Sequence, residues 1–223
     1  MNPNDDPSAI PPLSRPGPRP FVVIIVAIAA VVVGVAAWFL TTGPSEPPDQ
    51  GTGAALTEAD IGGPFQLTDN HGERVSDDDF RGRYMLVFFG FTHCPDVCPS
   101  TLRDISMALD HLDDKADAIQ PLFVTVDPER DDVDAMSNYV TVLDSRILGL
   151  TGTRAEIDQA IAAYRIYSAR VPLGDDGYTM DHSAFTYLMD REGRYITHFS
   201  FGLDSEEMAE GIKHAMETWG RDS

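Results

Sequence analysis

Apolar and polar residues follow one another in patterns that divide the chain into four segments. Residues 21–40 form a run of apolar or small side chains without a single charge, long enough to cross a bilayer as one helix. Residues 1–20 contain seven prolines and few apolar side chains, which predicts a disordered tail. Residues 41–60 are rich in Gly, Pro, Thr and acid and predict a flexible linker. Residues 61–223 have the length of one domain with its own core.

Within that domain the spacing of apolar residues predicts alternating strands and helices. A hairpin is predicted over 65–76, and the continuous apolar runs Tyr84–Gly90 and Leu122–Val126 predict buried strands. Helical spacing of apolar residues up to Leu112 predicts a helix between these two strands. The later elements are helices at 133–143, 153–164 and 205–219 and strands at 184–189 and 195–199. This order predicts an α/β fold, a thioredoxin-like mixed sheet flanked by helices and preceded by one transmembrane helix.

Charges beside the apolar run predict its orientation. Arg15 and Arg19 precede the run, and the next cation is Arg74. The positive-inside rule therefore places the N-terminus in the cytoplasm and the C-terminal domain outside. A cleavable signal peptide is the alternative, but its apolar stretch is usually shorter, so an uncleaved anchor is favoured. Because no transit segment rich in Arg and Ser is visible, we expect a single-pass protein of the bacterial inner membrane, with its domain in the periplasm.

The net charge of −20 lies on the segment that follows the anchor, since the four charges before it cancel. A domain this acidic repels nucleic acid and anionic lipid, so neither is expected as a partner. It would attract a basic partner or cations, although an acidic surface without a specific partner explains the charge equally well.

Two cysteines, Cys94 and Cys98, follow the first buried strand. On a helix, residues i and i+4 share a face with Cα atoms about 6 Å apart, within the reach of a disulfide. A helix N-terminus favours the thiolate, and Pro95 suits a first helical position. A close pair in an oxidising compartment predicts a redox couple, a metal site or both. Two thiolates suit Cu(I), Cu(II) or Zn(II), with a third ligand still required.

The third ligand is expected among the six histidines. His182 precedes the strand predicted at 184–189, and in a thioredoxin-like sheet that loop faces the turn that carries the cysteines. A lone loop histidine is more often solvated than a metal ligand. Here two cysteines are expected within a few ångströms of it, so we favour the ligand interpretation. His93 is a weak candidate, because consecutive side chains leaving a strand point apart. The others are interpreted as surface or ordinary sheet residues: His71, His111, His198 and His214.

Four motifs carry a resemblance to a known family. They are Gly90-Phe-Thr-His-Cys-Pro-Asp-Val-Cys-Pro99, Val126-Asp-Pro-Glu-Arg-Asp131, Leu150-Thr-Gly152 and Asp181-His-Ser183. Together with the apolar run they resemble the Sco (SenC) copper chaperones of cytochrome c oxidase assembly.

The resemblance implies that one copper ion, as Cu(I) or Cu(II), is bound by Cys94, Cys98 and His182. It implies a chaperone without catalytic residues, which receives copper from a donor protein and delivers it to the oxidase subunit that bears the dinuclear copper site.

A thiol–disulfide oxidoreductase is the alternative function, with Cys94 and Cys98 as the redox disulfide and cysteines of an oxidase subunit or another envelope protein as its substrate. Thioredoxin-type sites have two residues between the cysteines, whereas this chain has three. No proline follows Pro172, so Ser183 and Ala184 stand where such reductases have a cis-proline. A peroxiredoxin is a weaker alternative still. The peroxidatic cysteine of such enzymes has Pro seven positions and Thr three positions before it, and neither Cys94 nor Cys98 does.

Three acidic residues near the motifs are open to two readings. Asp127 and Asp131 either orient a partner, or lie beside the metal ligands, or cap a helix and fix a turn around Pro128. We prefer the cap and turn for Asp131. Asp96, between the cysteines, either tunes the thiolates or stays solvated. Oligomeric state and the oxidation state of the copper in the cell stay undecided.

Overall fold

The computed structural model describes residues 61–174 and 177–219. The chain divides into two units, Met1–Gly53 and Ala54–Ser223, and the described residues belong to the second. The predicted tail, anchor and linker at 1–20, 21–40 and 41–60 lie outside the described residues. Within 61–174 and 177–219, no helix is both long and apolar enough to cross a membrane.

The described residues form nine strands: β1 Gln66–Asp69, β2 Arg74–Ser76, β3 Tyr84–Gly90, β4 Ile119–Thr125, β5 Leu148–Thr151, β6 Ser168–Pro172, β7 Tyr178–His182, β8 Phe185–Met189 and β9 Tyr195–Ser200. Seven of them form a mixed sheet at the centre of the domain, in the order β2-β1-β5-β4-β3-β8-β9. Strands β3, β4 and β5 are parallel, whereas β8, β9, β1 and β2 each join the sheet antiparallel to a neighbour. In the described part of the chain β6 and β7 pair only with each other.

Helices cover both faces of this sheet. The helices are α1 Val97–His111, α2 Val133–Leu143, α3 Arg154–Ala163 and α4 Ser205–Trp219, with short 3₁₀ segments at Asp77–Phe80 and Asp113–Ala118. On one face Phe123 of β4 packs on Tyr139 of α2, with ring centroids 5.5 Å apart. On the other face Phe89 of β3 packs on Tyr164, directly after α3, at 5.2 Å. The predicted mixed sheet flanked by helices is confirmed.

Strand β3 lies in the middle of the sheet, between β4 and β8. All seven of its residues are buried, as expected when both faces of a strand are covered. Burial of each large apolar side chain stabilises the fold by about 1.5–3 kcal/mol, so β3 is a rigid base. Its carboxyl end leads directly into the segment that carries both cysteines.

Strand β5 and the β6–β7 hairpin were not predicted. Strand β5 has only four residues and includes Gly149, so its apolar run is too short to stand out. In the hairpin, β6 is half-buried or exposed along its whole length, and its short alternating run ends in Pro172, which weakens the strand pattern. The hairpin matters for the site because His182 is the last residue of β7.

Candidate metal centre

The cysteine segment forms a turn between β3 and α1. Helix α1 begins at Val97, so the prediction that Pro95 is the first helical residue is wrong. Cys94 lies before the helix, and its Sγ accepts a hydrogen bond from the backbone N–H of Cys98 at 3.3 Å. This bond satisfies one of the N–H groups that a helix start leaves free. Asp96, at the N-cap position, makes no side-chain cap bond and is exposed.

Gly90 allows Cys98 to lie directly against the sheet. A Cβ at this position would be 2.8 Å from both Cys98 Sγ and Phe123 Cε2, closer than heavy atoms can approach. Cys98 itself is completely buried, with 0% of its surface exposed. The glycine is therefore required by close packing beneath the site, a role that sequence reasoning did not assign.

His182 lies at the end of β7 and faces Cys98. Its Nε2 is 3.7 Å from Cys98 Sγ, and its ring packs edge-on against Phe91, with centroids 5.8 Å apart. Its Nδ1 is 2.9 Å from the Ser183 carbonyl oxygen. Because a carbonyl can only accept, Nδ1 carries a proton, and Nε2 is the ring nitrogen that faces the sulfur. The expectation that His182 belongs to a loop is wrong, since it ends a strand.

The three predicted ligands therefore meet in pairs, Cys94 with Cys98 and Cys98 with His182. Neither cysteine is part of a disulfide. Among residues 61–174 and 177–219, no three His, Cys, Asp or Glu side chains are already arranged to hold a metal ion. Convergence of all three donors on one ion needs a local rearrangement of the two thiols.

The two thiols have opposite pKa shifts. Cys94 accepts a hydrogen bond from the Cys98 side chain, which lowers the pKa of Cys94 from 9.0 to about 5. The same bond, and then burial, raises the pKa of Cys98 far above its usual range. Near neutral pH Cys94 is therefore a half-exposed thiolate, whereas Cys98 keeps its proton.

We expect the alkylation rate of Cys94 by iodoacetamide to change less than about twofold between pH 6 and 8, because its thiolate is already formed. An ordinary thiol, with a pKa of about 8.5, reacts nearly tenfold faster for each pH unit in that range. Mass spectrometry of the tryptic peptide 84–103, with fragmentation to separate Cys94 from Cys98, measures the rate. Urea-unfolded protein is the control and should regain the steep profile. A steep profile in the folded protein would contradict the lowered pKa.

Asp131 ties the cysteine segment to the neighbouring strand β4. Its side chain is fully buried and accepts bonds from the N–H and Oγ1 of Thr92, at 3.0 and 2.6 Å, and from Thr125 Oγ1 at 2.6 Å. The residue that caps α2 is Asp132, whose carboxylate accepts from Ala135 N–H at 2.8 Å. The interpretation of Asp131 as a helix cap is therefore wrong, although its N–H does close the turn onto the Asp127 carbonyl, at 3.0 Å.

The other histidines lie outside this cluster of donors. His93 is half-exposed, with Nδ1 3.1 Å from Thr92 Oγ1 and 3.6 Å from Asp131 Oδ1. His198 is in β9, where its Nδ1 is 2.6 Å from Tyr195 Oη. No peptide bond in the described residues is cis, and this includes the Ser183–Ala184 bond between β7 and β8.

Known proteins resemble this chain over the same domain. The family model described as SCO1/SenC matches residues 53–217. The human mitochondrial Protein SCO1 homolog is 40% identical over 166 residues, which are 73% of this chain and 55% of that protein. The chain thus spans about half the length of that relative. An SCO2-like protein of Rickettsia prowazekii is 35% identical over 195 residues, 85% of this chain and 95% of that one.

Among solved structures, the copper-bound ScoI of Bradyrhizobium japonicum is similar with a TM-score of 0.65 and 47% identity. The match covers 70% of this chain and 99% of that one.

Proposed function

The chain belongs to the SCO1/SenC family, and on that premise we propose that it is a copper chaperone that carries one copper ion on Cys94, Cys98 and His182. The resemblance predicted from the four motifs is confirmed by the family match. One observation carries the proposal: Nε2 of His182 lies 3.7 Å from Cys98 Sγ. Two sulfurs and a neutral imidazole are the donors that soft and borderline ions such as Cu(I) and Cu(II) prefer.

The spacing of these donors supports binding of one ion. Metal–sulfur bonds of about 2.3 Å and metal–nitrogen bonds of about 2.0 Å place two ligands roughly 3.5–3.8 Å apart at a three- or four-coordinate centre. The separation of 3.7 Å between Cys98 Sγ and His182 Nε2 falls in this range. Loss of the Cys98 proton ends its hydrogen bond to Cys94, and both sulfurs are then free to turn towards the same ion.

Each residue has a distinct part in loading and release. The Cys94 thiolate, half-exposed at the turn, meets incoming copper first. Cys98 then gives up its proton as it binds, and the proton is released to solvent. His182 completes the site through Nε2, with its Nδ1 proton held by Ser183. Exchange with an external disulfide would oxidise the pair to a Cys94–Cys98 disulfide and reduce that disulfide to two thiols; both thiolates are then lost and the ion is released, so the redox state of the pair controls loading.

The acceptor we propose is the cytochrome c oxidase subunit with the dinuclear copper site, and a separate protein supplies the copper. The family resemblance supports both partners. The charge-free run at 21–40 supports an anchor in the bacterial inner membrane, with the copper-binding domain in the periplasm.

Thiol–disulfide exchange is the second candidate, because a half-exposed Cys94 with a pKa of about 5 beside a buried Cys98 suits a redox pair. Against it, reductases of this fold present a cis-proline beside the cysteines, whereas this chain presents His182, and the Ser183–Ala184 bond is trans. We therefore favour metal carriage over an enzymatic role.

Replacement of His182 with alanine tests the proposal. We expect His182→Ala to weaken Cu(II) binding by more than about a hundredfold, the upper end of the loss seen for outer-sphere partners of a metal, and to change the visible absorption. The measurement is a copper titration of the reduced full-length chain in detergent. His71→Ala, in an exposed turn, is the matched control, and His93→Ala tests the neighbouring histidine. Affinity and spectrum equal to wild type in His182→Ala would refute the ligand assignment.

A further inference from the structure

The hairpin that carries His182 is held by side chains rather than by the sheet. Within the described residues β6 and β7 pair with no strand of the seven-stranded sheet. Two residues, Ser183 and Ala184, separate His182 from β8. The position of the imidazole relative to Cys98 therefore depends on what fixes β7 to the rest of the domain.

Tyr178, the first residue of β7, makes the most extensive of these contacts. Its hydroxyl donates to Asp127 Oδ1 at 3.0 Å, and its carbonyl accepts from Arg130 Nη1 at 3.0 Å. Its ring lies between two guanidinium groups, with Arg130 Cζ 3.8 Å and Arg170 Cζ 3.9 Å from the centroid. Each such cation–π contact adds roughly 0.5–2 kcal/mol, so Tyr178 is firmly fixed to the loop between β4 and α2.

Asp127 and Arg130 are themselves rigidly placed. The Asp127 side chain is 1% exposed, and Arg130 Nε pairs with its Oδ2 at 2.5 Å. A buried carboxylate needs its donors, and loss of one leaves the charge poorly compensated. Arg130 Nη2 is buried and makes no hydrogen bond with a described residue, so the guanidinium is placed by its other contacts.

Two sets of contacts connect Tyr178, Asp127 and Arg130 to His182. Side chains two residues apart on a strand point to the same side, so Tyr178, Met180 and His182 share one face of β7, and Met180 packs against the core. The second set involves Phe91: Arg130 Cζ lies 5.9 Å from its ring centroid, and that ring packs edge-on against the His182 imidazole. Displacement of Tyr178 would therefore move the imidazole.

We propose that Tyr178, held by Asp127 and Arg130, is a positioning residue that keeps His182 within bonding distance of a copper ion on Cys94 and Cys98, and so sets how long the ion is retained. This inference rests on the proposed function. With the Tyr178 hydroxyl bond absent, β7 spends more time away from the cysteines, and copper is held by two sulfurs alone for that fraction of time.

Tyr178→Phe removes only the hydroxyl and keeps the ring between the two guanidinium groups. We expect the release of copper from the reduced, loaded full-length chain to an excess of chelator to be at least about tenfold faster than wild type, the lower end of the effect of losing one hydrogen bond to a charged group. The Cu(II) absorption should shift towards that of His182→Ala. The matched control is Tyr167→Phe, the same change at an exposed residue beside β6, and it should match wild type.

A double-mutant cycle with His182→Ala separates positioning from general stability. If Tyr178 acts through His182, Tyr178→Phe has no further effect on release in the His182→Ala background. Equal acceleration with and without His182, or release from Tyr178→Phe equal to wild type, would overturn the proposal. Release from His182→Ala equal to wild type would instead overturn the proposed ligand set, and the positioning role with it.

A second variant, Arg170→Gln, tests the same contacts if Tyr178→Phe does not fold. Arg170 is about half-exposed and pairs with Glu129, so Arg170→Gln removes one guanidinium from the Tyr178 ring without opening the core. We expect release about twofold faster than wild type, with an unchanged melting temperature of the apo protein. If Tyr178→Phe does not fold and Arg170→Gln releases copper at the wild-type rate, the proposed positioning role of Tyr178 is overturned.

Discussion

Serine in place of either Cys94 or Cys98 is expected to abolish one-to-one copper loading of the reduced protein. Each substitution exchanges a soft thiolate for a hydroxyl that Cu(I) binds poorly. Loss of a partner outside the ligand sphere already lowers metal affinity by about 10–100-fold, so loss of a direct ligand should exceed that. The chain has only these two cysteines, so no other thiol can substitute.

The two variants should differ in a way that the structure explains. Cys98→Ser leaves Cys94 half-exposed and free to form a thiolate. Cys94→Ser leaves a single buried thiol whose pKa is raised by burial, so at neutral pH it seldom offers a thiolate at all. We therefore expect weaker residual copper binding in Cys94→Ser than in Cys98→Ser.

Anaerobic titration with Cu(I) against a competing chelator measures both affinities. Met107→Leu is the control, since it removes a partly exposed sulfur from α1 without touching the site, and it should load one copper as wild type does. Retention of one tightly bound copper by Cys94→Ser would contradict the proposed ligands and favour a site elsewhere in the chain.

Local sequence signals predicted much of the fold. Thr153 and Glu156 have the spacing of a capping box at the start of the helix predicted at 153–164, and both bonds of the box are present at the start of α3. The bounds predicted for α2 at 133–143 agree with the structure. These elements could be predicted because their caps and apolar spacing lie within a few residues of one another.

The β6–β7 hairpin could not be predicted in the same way. Its strands are short and at most half-buried, and it is held by contacts between distant residues, such as the bond from Tyr178 to Asp127, 51 positions apart. The order of elements was enough to predict that His182 lies near the cysteines. The network that fixes the imidazole there leaves no pattern along the chain.

Asp131 and Asp132 illustrate the limit most clearly. Two adjacent aspartates precede α2, and either suits an N-cap by composition. The structure assigns the cap to Asp132, because Asp131 is turned inwards to the donors of Thr92, 39 residues away, and of Thr125. Only the folded sheet brings the cysteine segment and this carboxylate together.

The two aspartates should therefore respond very differently to alanine. We expect Asp131→Ala to lower the free energy of unfolding by about 3–5 kcal/mol, because it leaves the part-buried Thr92 N–H and the hydroxyls of Thr92 and Thr125 without their acceptor. For a domain of this size that corresponds to roughly 10 °C or more in Tm. Asp132→Ala removes only an exposed cap, and about 1 kcal/mol is expected.

Thermal and urea unfolding of the reduced, metal-free protein measure both losses of stability. Asp131→Asn is a third variant, and its loss is expected to lie between those of Asp131→Ala and Asp132→Ala. The amide keeps one oxygen for the Thr92 N–H but turns an N–H₂ group towards a hydroxyl, so its loss should be smaller than that of Asp131→Ala. Similar small losses for Asp131→Ala and Asp132→Ala would mean that the Thr92 and Thr125 donors find other acceptors. Asp131 would then not be what holds the cysteine turn against β4.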